Sequence, residues 1–200
     1  MQDYFLTIQK NCEGLYKEKG SKFISYAFPV SNEAEIKKII SQVKKEHHAA
    51  RHWCYAYKLG ADKKMFRAND DGEPSGTAGK PILNQLSAAD LTDVLIVVVR
   101  YFGGTLLGTS GLITAYKNAA ADALLHAEAI TKYISQTCKV SFDTSVTNEV
   151  MRRLKEFDAK IINHTFSQQN EILFTVKLSF TEKLLTHFKK NNIHCQKIGV

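Results

Sequence analysis

The residues best able to do chemistry lie between Asp70 and Gly111, with Arg51 and His52 a short way upstream. One glycine-rich loop reads Asp70-Asp71-Gly72-Glu73-Pro74-Ser75-Gly76-Thr77-Ala78-Gly79-Lys80-Pro81. A second runs from Arg100-Tyr101-Phe102-Gly103-Gly104 through Gly108-Thr109-Ser110-Gly111. Phosphate binding is the first chemistry to test. Gly79-Lys80 resembles the end of a Walker-type loop, but Pro74 stands where that motif needs glycine and Pro81 replaces its Ser or Thr, so the motif fails. Asp70, Asp71 and Glu73 also repel phosphate unless a cation intervenes. The second loop is the better anion site, with Thr109 and Ser110 beside a helix amino end. Glycines serving tight turns before a capped helix are the simpler explanation of the same residues.

Acid–base chemistry is the second. Asp71 or Glu73 with His52 has the right functional groups for a hydrolase, but adjacency in sequence does not establish geometry. Asp70, Asp71 and Glu73 can equally pair with Arg51 and Arg100 to hold the loops, and this structural network is the preferred reading. No G-x-S-x-G elbow is present, and no residue is assigned a catalytic role. Metal binding has less support. His48 and His52 are four apart, but a helix ends between them, so neither a metal nor a cofactor is expected.

The elements around these loops decide whether the residues meet. Val94 to Val99 is an unbroken apolar run, the pattern of a strand covered on both faces. Arg100 follows it directly, and a charge cannot sit unpaired in a core. The expectation is that Arg100 emerges into a crevice at the strand end, by analogy with ligand sites in open sheets. Both loops lead into helices, whose first N–H groups favour anions. The predicted site is a polar cleft between two loop-to-helix junctions and one strand end.

The rest of the first domain reads in order. Tyr4 to Gln9 alternates as a strand, and Lys22 to Phe28 forms a second strand ended by Pro29, with Gly14 and Gly20 marking the loop between them. Asn32 and Glu35 make a capping box, and Ile36, Ile39, Ile40 and Val43 form one helix face. Lys37, Lys38, Lys44 and Lys45 lie off that stripe and are read as a solvated face. Trp53, Tyr55, Tyr57 and Leu59 form the aromatic face of a strand, and Met65 to Ala68 returns as its hairpin partner. Thr77 is the expected cap of a short helix containing Ile82, Leu83 and Leu86. A long helix spans about Leu112 to Ala127, and Ile130 to Cys138 is an extended connection.

From about Lys139 the order is strand, helix, strand, strand, helix, strand, that of a ferredoxin-like split βαβ unit with one sheet face open. The strand markers are Val140 and Phe142, then Ile161 and Ile162, then the alternating series Ile172 to Phe180, and finally Ile193 to Val200. Val146, Val150, Leu154 and Phe157 mark one helix; Leu184, Leu185 and Phe188 mark the other. Ser167-Gln168-Gln169-Asn170 is the turn.

The bulk properties suit one large domain or two small ones. The chain has 200 residues, 44% of them apolar, and a net charge of +7. That charge suits an acidic partner such as RNA, and the second domain carries it at higher density. No apolar run approaches the ~20 residues of a membrane-spanning helix. Met1-Gln2-Asp3-Tyr4 lacks a secretory pattern, and Cys12, Cys54, Cys138 and Cys195 read as reduced thiols, so the expected location is cytoplasmic and away from membranes.

The sequence resembles the IMPACT/YigZ family. The resemblance rests on His52, on Asp71 through Gly79, and on Ile82-Leu83, Leu86, Leu91 and Val97-Val98. It continues through Arg100-Tyr101-Phe102-Gly103-Gly104, Leu107-Gly108, Gly111-Leu112 and Ala115-Tyr116. Leu106 and Thr114 depart from it, standing where many relatives carry basic residues. The resemblance implies an α+β protein of two domains. Residues 1–135 would form an amino-terminal α/β domain like a ribosomal-protein domain and the GHMP kinases. Residues 139–200 would form a ferredoxin-like βαββαβ domain like the fifth domain of elongation factor G. In the GHMP kinases a loop similar to Gly108–Leu112 holds nucleotide phosphate. Eukaryotic relatives act in translational control by competing for the activator of an initiation-factor kinase. They do so with a further amino-terminal domain that is not expected here.

The expectation is therefore a translation-associated regulatory protein that binds RNA or the translation machinery. The alternative is an enzyme or sensor for a small phosphorylated ligand or nucleotide, and a pure protein-interaction module is a third possibility. Candidate binding residues are Arg51, His52, Asp71, Glu73, Ser75, Thr77, Lys80, Arg100, Tyr101, Gly103, Gly104, Thr109 and Ser110.

Overall fold

The computed structural model describes residues 3–166 and 169–199. The fold is mixed α/β, with eleven strands and five α-helices among the described residues. The chain divides into two compact units, Phe5–Lys132 and a smaller one made of Met1–Tyr4 with Tyr133–Val200.

The larger unit is built on a five-stranded sheet of order β2-β3-β6-β4-β5. Its strands are β2 (Cys12–Glu18), β3 (Ser21–Pro29), β4 (His52–Leu59), β5 (Met65–Asn69) and β6 (Val94–Tyr101). Every neighbouring pair is antiparallel. The apolar run is the central strand, β6. Leu95, Val97 and Val99 face one core with Tyr57 and with Ile36 and Val43 of α1 (Glu33–Glu46). Val94, Ile96 and Val98 face the other, with α2 (Gly79–Ala88) and α3 (Gly108–Leu125). Burial on both sides explains the absence of alternation. Because the sheet is antiparallel, the analogy with strand-end crevices of parallel open sheets does not apply.

Cys12–Glu18 is a strand, not the expected loop. Gly14 looked like punctuation, but it marks a close approach. A Cβ there would lie 2.3 Å from the backbone nitrogen of Ala123, so α3 crosses directly over the strand. A two-residue turn at Lys19-Gly20, both with positive φ (46° and 78°), closes the β2–β3 hairpin.

The expected capping box of α1 forms in part, with Glu35 reaching the N–H of Ser31 instead of that of Asn32. Asn32 Oδ1 accepts from Glu35 N at 2.9 Å, and Glu35 Oε2 accepts from Ser31 N at 2.8 Å. Thr77 does not cap α2, because its hydroxyl donates to the Pro74 carbonyl. Asp70, at the exit of β5, takes that role. It accepts from Gly76 N through Oδ2 and from Ala78 N and Gly79 N through Oδ1. The α3 helix starts a turn earlier than expected, so Gly108 to Gly111 are its first turn. A two-stranded sheet joins β1 (Tyr4–Ile8) and β7 (Ala129–Tyr133).

The smaller unit runs β8 (Ser135–Phe142), α4 (Thr147–Glu156), β9 (Lys160–Thr165), β10 (Asn170–Lys177), α5 (Leu178–Lys190) and β11 (His194–Lys197). Its antiparallel sheet has the order β11-β8-β10-β9. Cys138, Val140, Phe142, Ile172, Phe174 and Val176 pack with Val150, Leu154, Leu184 and Phe188 of the two helices. Three boundaries move, the last strand stopping at Lys197. The first strand starts at Ser135 rather than near Lys139. β10 ends at Lys177, and Leu178 to Phe180 continue the alternation as the first turn of α5, where Phe180 packs edge-on against Phe157. Ser167 and Gln168 of the expected turn, and Val200, lie outside the described residues.

Candidate functional site

A cleft of about 390 Å³ opens in the larger unit. Its walls come from four places in the chain. Arg51 and His52 stand at the start of β4, and Glu73 and Pro74 in the first glycine-rich loop. Arg100 and Phe102 flank the end of β6, Leu106 and Leu107 lead into α3, and Gly108, Thr109 and Leu112 lie in its first turns. The volume lies within the ~300–1,000 Å³ range of small-ligand sites, and the walls are mostly apolar, as in such sites.

Arg100 is not in open water. Its position on β6 matches that of Val94, Ile96 and Val98, which turns it toward the α2/α3 side. There its Nη1 donates to Glu73 Oε1 at 2.7 Å, with the two side chains 7% and 4% exposed. The guanidinium carbon sits 5.5 Å from the ring centres of both Phe23 and Phe102. Tyr116 donates its hydroxyl proton to the same Glu73 oxygen at 2.8 Å, and the Cys54 thiol donates to the Tyr116 oxygen and the Asp70 carbonyl. Burial pushes the Tyr116 hydroxyl and the Cys54 thiol far above their usual ranges, so both stay protonated as donors. The expected water-facing arginine is thus a buried ion pair at the edge of the cleft. Arg100 Nε is buried with no partner among the described residues.

His52 lies opposite Arg100 in the β4–β6 register. Its Nδ1 lies 3.0 Å from the Asp71 carbonyl oxygen. Asp71 does not reach the cleft lining. Its carboxylate binds Lys44 Nζ at 3.1 Å and accepts from Trp53 N at 2.9 Å. The acid–base pairing of His52 with Asp71 or Glu73 is therefore not formed, since both carboxylates are held by other donors.

The structure brings Arg51, His52, Glu73, Arg100 and Thr109 together and leaves the other candidates outside the cleft lining. Ser75 and Lys80 are exposed elsewhere, and Thr77 is buried against Pro74. Tyr101 points to the α1 face, where its hydroxyl meets His47 Nδ1 at 2.8 Å. Gly103 packs against Gly20, and a Cβ at Gly103 would fall 1.9 Å from the Gly20 carbonyl carbon. Gly104 has φ 87° and open space around it. Ser110 lines a neighbouring hollow with Tyr16, Glu18, Lys19 and Thr114.

Sequence reasoning missed the apolar walls. Phe102 is 51% exposed and Leu106 84%. An aromatic residue placed between an arginine and a glycine pair was the available signal for Phe102. The departures Leu106 and Thr114 border the cleft and the adjoining hollow, making this end of α3 less basic than the resemblance implies. Among the described residues, no group of three His, Cys, Asp or Glu is arranged to hold a metal ion. Among the described residues, no helix is long and apolar enough to cross a membrane.

Comparison with known proteins matches this scaffold. Residues 19–124 match the Impact N-terminal domain and hold every residue of the cleft. The chain is 37% identical over 156 residues to the IMPACT family member YvyE of Bacillus subtilis, covering 78% of this chain and 71% of that protein. It is 38% identical over 152 residues to the IMPACT family member YigZ of Escherichia coli, covering 74% of each. A protein IMPACT homolog of Dictyostelium discoideum shares 37% identity over 95 residues, which is 27% of its length. A solved structure described as a hypothetical protein superposes with a TM-score of 0.76 at 28% identity, covering 100% of this chain and 99% of that one. By sequence and by fold, the chain belongs to the IMPACT family.

Proposed function

We propose that this protein is a translation-associated regulatory factor that binds RNA. The observation that carries the reading is the rim of the cleft, where the exposed Arg51 stands with the half-exposed Phe102 ring. A cation for phosphate beside an aromatic face for a base is the chemistry with which proteins hold single-stranded RNA. The net charge of +7 favours the same partner. The resemblance to eukaryotic relatives that act in translational control supplies the cellular context. We read the larger unit as the α/β domain shared with a ribosomal-protein domain and the GHMP kinases. The smaller unit, with its β11-β8-β10-β9 sheet, we read as ferredoxin-like.

Filter binding of single-stranded ribosomal RNA over a salt series tests the reading. Affinity falls as salt rises, and Arg51→Ala lowers the slope of log affinity against log salt by about 1. Absence of binding at low salt overturns it. The buried, unpartnered Arg100 Nε and the concave shape of the site favour a second reading, a pocket for a small anionic ligand. A thermal-shift screen of nucleotides and sugar phosphates separates the two, since a ligand of the native state raises apparent stability.

A further inference from the structure

Three features of the cleft walls are not consumed by the fold. The first is His52. The Asp71 carbonyl can only accept, so in the neutral imidazole the proton is on Nδ1. Nε2 is then a bare acceptor on a ring that lines the cleft, with no partner among the described residues.

The second is the cationic side. The amino end of the 18-residue α3 has no side-chain cap and enters the cleft at Gly108 and Thr109. Beside it stand Arg51 and Arg100. The Arg100 side chain is more than nine-tenths buried, lines the cleft, and has an Nε without a partner. Arg100 and Glu73 neutralise each other, so the net positive charge of this side comes from the exposed Arg51 and the α3 amino end. The third is the apolar wall of Phe102, Leu106 and Leu107.

An anion receptor, a hydrogen-bond acceptor and an aromatic wall in one small cleft select a ligand with a phosphate, a donor and a flat face. We infer that the cleft receives one unpaired ribonucleotide of the bound RNA. Its phosphate lies at the α3 amino end, its base against Phe102, and its 2′-hydroxyl donates to His52 Nε2. Within a strand, the phosphate and ring oxygens of the backbone only accept. The 2′-hydroxyl is the sugar group that can donate, and it is the group DNA lacks. A duplex does not fit a cleft of about 390 Å³, and its paired, stacked bases present no free face. The inference rests on the RNA reading above and adds how that RNA is distinguished.

Fluorescence anisotropy on the full chain tests it, with a single-stranded oligoribonucleotide, the deoxyribonucleotide of the same sequence and the duplex RNA. The wild type binds the RNA strand about tenfold more tightly than the DNA strand, the size of one net hydrogen bond. His52→Ala removes that preference, lowering RNA affinity more than DNA affinity. His52→Asn does the same while keeping a donor near the Asp71 carbonyl, which guards against loss of the local fold. Phe102→Ala weakens RNA and DNA alike. Equal RNA and DNA affinity in the wild type, an undiminished preference in both His52 variants, or full competition by duplex overturns the inference while the RNA reading stands. No binding of any strand at low salt overturns the RNA reading itself.

Discussion

The Glu73 carboxylate and the Arg100 guanidinium meet at 2.7 Å inside the protein, joining the first glycine-rich loop to the end of the central strand. Two aromatic rings flank the guanidinium, and the Tyr116 hydroxyl shares the same carboxylate oxygen. The pair fixes one wall of the cleft and keeps Arg100 from acting as a free surface cation.

Breaking one half of this pair is expected to cost more than removing both. Glu73→Gln leaves a buried guanidinium uncompensated and is expected to destabilise the fold by about 3–5 kcal/mol in urea unfolding. The double variant Glu73→Gln with Arg100→Met recovers much of that loss. A double variant no more stable than Glu73→Gln alone shows that the pair is not the coupled unit described.

Asp70 links stability to pH. Burial acts to raise its pKa, but the backbone N–H groups of Gly76, Gly79 and Ala78 outweigh burial and hold it below the usual carboxylate range. A folded pKa below the unfolded value of about 3.8 gives stability that is present above that pH and lost as pH falls through the folded value. Asp70→Ala is expected to cost about 1–2 kcal/mol at neutral pH, as for other lost helix caps. Urea midpoints measured from pH 6 to pH 2 are expected to fall less in this variant than in the wild type.

Two neighbouring glycines are needed for different reasons. Gly103→Ala forces a methyl into the Gly20 backbone and is expected to cost about 3 kcal/mol, the upper range of overpacking. Gly104→Ala meets no atom within 4 Å and bears only the strain of a positive φ, about 1 kcal/mol. Thermal melts of the two variants give the order, and a larger loss for Gly104→Ala contradicts the packing described.

In the smaller unit, Glu149 is held down to about 2 by hydrogen bonds from Arg152, then Arg153, with His187 adding a further contact. Its folded pKa is lowered, so its contribution is complete above an unfolded value near 4.5 and disappears as pH falls toward 2. Carboxyl NMR titration of the wild type is expected to show this midpoint, and Arg152→Ala to raise it. High salt raises it as well, because the group is partly exposed.

The sequence showed some of these arrangements more clearly than others. Val94 to Val99 could be read as a doubly covered strand because its burial leaves no polar position. Asn32 and Glu35 identified a helix start because that cap is local. Gly14 misled, since its need for a close helix contact depends on Ala123, more than a hundred residues away. Phe180 continued a period of two into a helix because its packing partner, Phe157, is set by tertiary structure. The charges were legible but their partners were not. Glu73 was expected to pair in a network, yet only coordinates distinguish a sealed link to Arg100 from a solvent-facing one. The apolar cleft walls lay inside the recognised motif, where the residues that could carry charge or hydrogen bonds drew the attention.

The position of β6 has a consequence for synthesis. It pairs with β3 on one side and β4 on the other, yet it follows both in the chain. Until Val94 to Tyr101 has left the ribosomal tunnel, both earlier strands expose backbone edges with no native partner on those sides. Closing the sheet requires β6 to insert between them, a long-range pairing of the kind that slows folding. During that interval the nascent chain depends on solubility or on chaperones to avoid pairing with its neighbours.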